Sequence, residues 1–211
     1  MVLTKPSEEV LKSMKSRMKK TTYPLSEVYR LLEPGPVVLV TTARARRTNH
    51  VKGRAPHVAN IMSMSWHLMM EFVPPLVGCV ISNRNHSFET LKATRECVIN
   101  IPTVELAKTV VACGNTSGQR VDKFKAFGLT PVPAACVKAP LVAECYASLE
   151  CKVRDGKLAA KYNFFILEVV QAWIDPARKR PPTIHHQGEG EFMVAGRTLH
   201  LPSPKTALAG K

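Results

Sequence analysis

Residues 82–87, SNRNHS, place Ser82, Asn83, Arg84, Asn85, His86 and Ser87 between an apolar run, LVGCVIS, and a helix-like run, FETLKATR. The free N–H groups and partial positive charge of a helix's first turn attract an anion. Arg84 adds a two-pronged donor and the serines add hydroxyls, a set suited to a phosphate dianion. A plainer reading also fits, in which Asn85 caps the helix and the other side chains face water.

A second stretch, HVANIMSMSWHLMM at 57–70, holds methionine, serine, asparagine and tryptophan but no acid. As a strand it sets Asn60, Met62, Met64 and Trp66 on one face and Ala59, Ile61, Ser63 and Ser65 on the other. Each face then mixes polar with apolar groups, and a helix does no better. An irregular segment is expected, with backbone amides and short polar side chains beside soft methionines. Such a wall suits a flat, partly polar heteroaromatic ring. A Met-rich core strand beside a bend fits the same residues equally well. Trp66 to Met70 need be no more than packing.

Other reactive residues form no constellation. The adjacent His185-His186 pair would point to opposite faces of a strand, which makes a poor metal chelate. There is no G-x-S-x-G, P-loop or G-x-G-x-x-G spacing. The six cysteines, Cys79, Cys97, Cys113, Cys136, Cys145 and Cys151, include no C-x-x-C. On one strand Cys145 and Cys151 would lie about 20 Å apart, beyond disulfide reach. Free thiols in a reducing cytoplasm, without a metal site, are expected.

The elements that must position these groups read mostly as strands. Apolar runs at VVLVTTA (37–43), LVGCVIS (76–82) and CVINIP (97–102) are β-branched and buried in character. LVAECYASLECKV (141–153) alternates with period two and reads as one half-buried strand. After an Asp155-Gly156 turn, LAAKYNFFILEVVQAWID reads as a long partner strand, and EFMVAGRTLHL as a hairpin around Ala195-Gly196. Short helices are expected from Leu25 to Leu32, through FETLKATR, VELAKTVVACGN and VDKFKAFG. With no βαβ repeat, a mostly β, barrel-like architecture follows.

The chain has 211 residues and a net charge of +14. One domain over 21–211, preceded by a basic arm over 1–20, accounts for that length. Basic residues gather at 12–20, 44–54 and 178–180. Nucleic acid, anionic membrane and phosphorylated small molecules are the partners this charge suits. Aromatics do not interleave with the basic clusters, as a single-strand stacking surface would require. No apolar run is long enough for a membrane span, and the first residues lack a signal-peptide core. A cytoplasmic protein is expected.

Several blocks in order carry a family resemblance: LEPGPVVLVTT, NIMSMSWH, PPLVGCVISNRNHSFETL, ECVINIP, CGNTSGQRVDKFKAFGLTP, APLVAECYASLEC, FFILEVVQAWID and TIHHQGEGEFMVAG. From Tyr23 to Leu201 the sequence resembles the flavin reductase-like family, FMN-binding split barrels that include flavoredoxin. The resemblance implies a homodimeric Greek-key split β-barrel, mainly β with a few short helices, binding FMN near the subunit interface. It implies that Asn60, Ile61, Met62, Ser63, Met64 and Ser65 run beside the isoalloxazine and ribityl chain. Ser82, Asn83, Arg84 and Ser87 would hold the phosphate. Asn100 and Lys123 would lie near the ring or reach it from the partner subunit. NADH or NADPH would donate hydride to FMN, and electrons would pass to free flavin or a protein acceptor. That chemistry belongs to the cofactors and needs no catalytic side chain. Many members of the family carry a histidine just before the strand matched by FFILEVV, where this chain has Tyr162-Asn163. A non-catalytic FMN-binding electron carrier is therefore the alternative, and a basic nucleic-acid-binding barrel ranks third.

Overall fold

The computed structural model describes residues 20–28, 35–45 and 57–199. The expected basic arm thus lies outside the described residues except for Lys20, as does the basic loop beyond Ala45.

Twelve strands and four helices make up the described fold. The strands are β1 (Thr21–Thr22), β2 (Val38–Ala45), β3 (His57–Met64), β4 (His67–Phe72), β5 (Pro75–Val80), β6 (Glu96–Ile101), β7 (Pro131–Val132), β8 (Leu141–Val142), β9 (Ala147–Asp155), β10 (Phe164–Ile174), β11 (Ile184–Gly188) and β12 (Glu191–Val194). The helices are α1 (His86–Thr94), α2 (Ala107–Asn115), α3 (Lys123–Ala126) and α4 (Ala159–Tyr162), and a 3₁₀ turn spans Leu25–Glu27. The remainder of the helix expected from Leu25 to Leu32 falls largely outside the described residues.

The main sheet runs β3-β2-β6-β9-β10-β5-β4, with β1 added on β10. Every pairing along it is antiparallel. Its two end strands, β3 and β4, are joined by only Ser65 and Trp66. A sheet whose ends are that close in the chain must roll up, and the result is a barrel with a seam. The interior is filled by Val38 and Val40 of β2, Met62 and Met64 of β3, Ile99, Leu149, Phe165 and Leu167.

A second apolar layer lies outside β2 and β3, where Leu39 and Ile61 meet Val110 and Cys113 of α2 and Phe124 of α3. This layer corrects the expectation of an irregular 57–64. The segment is a regular strand paired with β2 along its whole length. Both faces mix polar with apolar residues because both are covered, one by the barrel and one by helices.

Three more expectations are corrected. The single strand over 141–153 is broken into β8 and β9, because Asn100 Oδ1 captures the Val142 N–H and Cys145 N–H bonds back to Val142 O. Ala147 to Cys151 are buried rather than alternately exposed. On that outer side Glu150 accepts the N–H groups of Ala135 and Cys136 and the Trp173 indole N–H. The long partner strand starts only at Phe164, after α4 ends on left-handed Asn163 at φ 57°. Finally, the C-terminal hairpin joins β11 to β12 and turns at Glu189-Gly190, where Gly190 takes φ 84°, rather than at Ala195-Gly196.

The described cysteines are all unpaired thiols. Among the described residues no helix is long and apolar enough to cross a membrane, and no cluster of side chains could hold a metal ion.

Candidate functional site

The β2–β3 register sets Thr42 opposite Asn60. With period-two geometry, Arg44 follows Thr42 on the same face, at the barrel end where α1 packs on β2. There Asn60 Nδ2 donates to Ser87 Oγ at 2.9 Å, tying β3 to the first turn of α1. Thr42 Oγ1, fully buried, has no hydrogen-bond partner among the described residues. The Gly118 backbone presses on Asn60 from the α2–α3 connection, so closely that a Cβ there would fall 1.9 Å from Asn60 Oδ1. Only glycine admits this approach.

Outside this junction lies a hollow of about 510 Å³ lined by Arg44, Asn83, Arg84, Asn85, His86, Glu89, Thr90 and Gln119. Ser82 Oγ accepts the Arg84 N–H at 3.3 Å and Ser82 O accepts the Asn85 N–H at 2.9 Å, which shapes the turn. Asn85 occupies the N-cap position but makes no side-chain cap bond. The plainer reading of this turn thus holds for the position of Asn85 and for the exposure of Asn83, Arg84 and Asn85, while the side-chain cap bond is not formed and Ser87 is buried. The field here is positive. Burial, then Arg44 and Lys123, hold the His86 imidazole below its ordinary range.

Lys123 lies beneath this region. Its ammonium donates to Ile61 O at 2.9 Å and Cys113 O at 2.7 Å, joining β3 to α2. Burial lowers its pKa. The other end of β3 borders a hollow of about 390 Å³ lined by Val37, Ser63, Met64, Ser65, Val110, Gly114, Asn115, His186 and Phe192. Ser63 Oγ donates to Val110 O there.

The structure thus brings together Asn83, Arg84, Ser87 and Asn60 at one end of β3, with Ser82 shaping the turn, and Ser63, Met64 and Ser65 at the other. The Ile61 and Met62 side chains belong to the two core layers. Asn100 stands apart, fully buried and hydrogen-bonded to Leu39, Val98, Val142 and Ser148. Sequence reasoning missed Arg44, Gln119 and Gly118 as members of the site. Arg44 was within reach, since Val38, Val40, Thr42 and Arg44 continue one period-two face.

A rolled sheet with one seam and a cationic end defines a split barrel. Residues 30–192 match the model of the flavin reductase like domain, and the chain belongs to that family. It is similar to the uncharacterized protein YddH of Escherichia coli, 31% identical over 83% of this chain and 94% of that protein. An uncharacterized protein of Archaeoglobus fulgidus is 32% identical over 53% of this chain; the match spans 63% of that protein's length. Among solved structures, an FMN-binding domain of a flavin reductases-like enzyme from Shewanella baltica superposes with a TM-score of 0.74 at 26% identity, covering 87% of this chain and 97% of that one.

Proposed function

We propose that this protein binds FMN and works as an NAD(P)H-dependent flavin oxidoreductase. The carrying observation is the cationic hollow at the first turn of α1, where Arg44, Arg84 and His86 converge beside Asn60. The residues present fit the cofactor. Arg84 and Arg44 supply donors for a phosphate, and the buried Thr42 Oγ1 is unsatisfied. Along β3, Ser63 and Ser65 offer short polar groups beside Met64, the chemistry a flavin ring needs at its edge. Bound FMN would supply the hydride acceptance and onward electron transfer. The chain's own residues bind, orient and exclude water. The +14 charge supports the same reading by steering anionic nucleotides.

Purified protein is expected to carry yellow flavin absorption. Arg84→Ala removes a charge-assisted contact worth about 1.5–3 kcal/mol, so FMN titration should show affinity down by at least tenfold. Wild-type affinity in that variant would remove Arg84 from the site.

A carrier without reductase activity is the second reading, and a specific observation favours it. Tyr162-Asn163 close the short helix α4, with Asn163 O accepting the Ile81 N–H, instead of presenting an imidazole. Anaerobic mixing with NADH and NADPH separates the two: bleaching with either donor supports the reductase, and none with both supports the carrier.

The same proposal includes a homodimer. Trp66, in the β3–β4 connection, and Leu68 and Met70 of β4 alternate outward at 71%, 53% and 42% exposure. The reading of Trp66 to Met70 as packing holds for Met69 against the barrel core and is corrected for Trp66, Leu68 and Met70, and an apolar stripe of that kind suits burial against a second copy. Trp66→Lys should shift the sedimenting species from dimer to monomer; a wild-type monomer would refute the assignment. The unpaired thiols support a reducing, cytoplasmic setting.

A further inference from the structure

His86 opens α1, and its imidazole lines the same hollow as Arg44 of β2 and Arg84 of the turn. Arg44 and Lys123 of α3 both act on it electrostatically, and Glu89, one turn along α1, is the acid in the lining. The imidazole makes no hydrogen bond among the described residues, although it stands at the N-terminus of a nine-residue helix. Nearby, the buried Thr42 Oγ1 is likewise unsatisfied. A histidine among cations, bonded to no acceptor among the described residues, gains a proton when a dianion arrives beside it.

We propose that His86 is a phosphate-sensing residue: it takes up a proton as the phosphate of FMN enters, and its imidazolium then donates to a phosphate oxygen. This rests on the FMN reading above and adds a role for a residue outside the core phosphate set. The proton comes from solvent, and no covalent bond of the ligand changes.

The sign follows from linkage. In the free site burial, Arg44 and Lys123 disfavour the charged ring, whereas a dianion favours it. FMN therefore binds tighter as pH falls across the interval between the bound and free ionisations of His86. A shift of one pKa unit on binding corresponds to about tenfold in affinity across that interval. Riboflavin, which lacks the phosphate, should show none of this. The phosphate's own second ionisation, near pH 6, works in the opposite sense and contributes little above pH 7.

Isothermal titration at pH 7 in buffers of different ionisation enthalpy counts protons taken up per ligand. Wild-type protein should take up a substantial fraction of a proton with FMN and none with riboflavin. His86→Asn should still bind FMN, more weakly, with the uptake abolished. Uptake that persists in His86→Asn, or its absence while wild type binds FMN, overturns the role of His86 and leaves the FMN reading standing. If wild type binds no FMN in any buffer, both fall together. Titration of ring-labelled histidines in wild-type protein needs no variant: with FMN, one midpoint must move upward.

Discussion

Asn60 on β3 and Asn100 on β6 flank the same strand, β2, opposite Thr42 and Leu39 respectively. Both are buried amides, yet their surroundings differ. Asn100 donates through Nδ2 to Leu39 O at 3.2 Å and accepts at Oδ1 from Val142 N–H at 2.9 Å and Ser148 Oγ at 2.8 Å. Ser148 Oγ in turn accepts from Lys20 Nζ at 3.1 Å, and that ammonium also reaches Val142 O at 2.8 Å. The network closes on itself and fastens β2, β6, β8 and β9. Among the described residues the Asn60 side chain bonds only Ser87, beside the orphaned Thr42 hydroxyl and under the cationic hollow. A closed polar network specifies a fold; an open one has capacity left for a ligand.

The largest effect should come from breaking the closed network. Asn100→Ala strands the Val142 N–H and the Leu39 carbonyl in the core, and urea denaturation should show a loss on the order of 3 kcal/mol. FMN affinity of the protein that remains folded should stay near wild type. A folded variant that had lost FMN would erase the distinction between the two amides.

The open network should respond in the reverse pattern. Gly118→Ala puts a methyl group where Asn60 Oδ1 now sits. The amide must rotate away and release Ser87, a bond worth about 1 kcal/mol net. FMN affinity should fall about tenfold, with stability lowered by no more than that one bond. Unchanged affinity would show that the Asn60 amide does not shape the site.

How much of this was legible depended on the range of the interactions. VVLVTTA and CVINIP read as strands because their β-branched character is local, and SNRNHS read as a turn before a helix because its residues are contiguous. The regularity of β3 was hidden, since its second face is covered by Val110 and Phe124, far along the chain. Asn100 was a ligand candidate by family resemblance alone, and its partners Val142 and Ser148, 42 and 48 positions away, could not be seen locally. Once those bonds are formed, no polar atom of the amide is left over. Trp66, Leu68 and Met70 carry a clear alternation, but alternation alone does not say which face is left exposed.

Lys20 separates the two networks by pH. Burial lowers its ammonium to about 8, against the opposing pull of Cys145, Glu144 and Asp175. A lysine ammonium in the unfolded chain keeps the ordinary value of 10.5. Between these values the unfolded state binds more protons, so the Lys20 contribution to stability rises with pH and its full cost is present below about 8. The stability of wild type minus that of Lys20→Met should therefore climb across this window, read from urea midpoints at successive pH values. A flat difference would mean that the ammonium is not confined against Val142 and Ser148. The closed network then shows its titration in stability on the alkaline side, with or without FMN. The open one, through His86, shows it in FMN affinity toward acid. A single variant that moved both profiles would join the two networks into one.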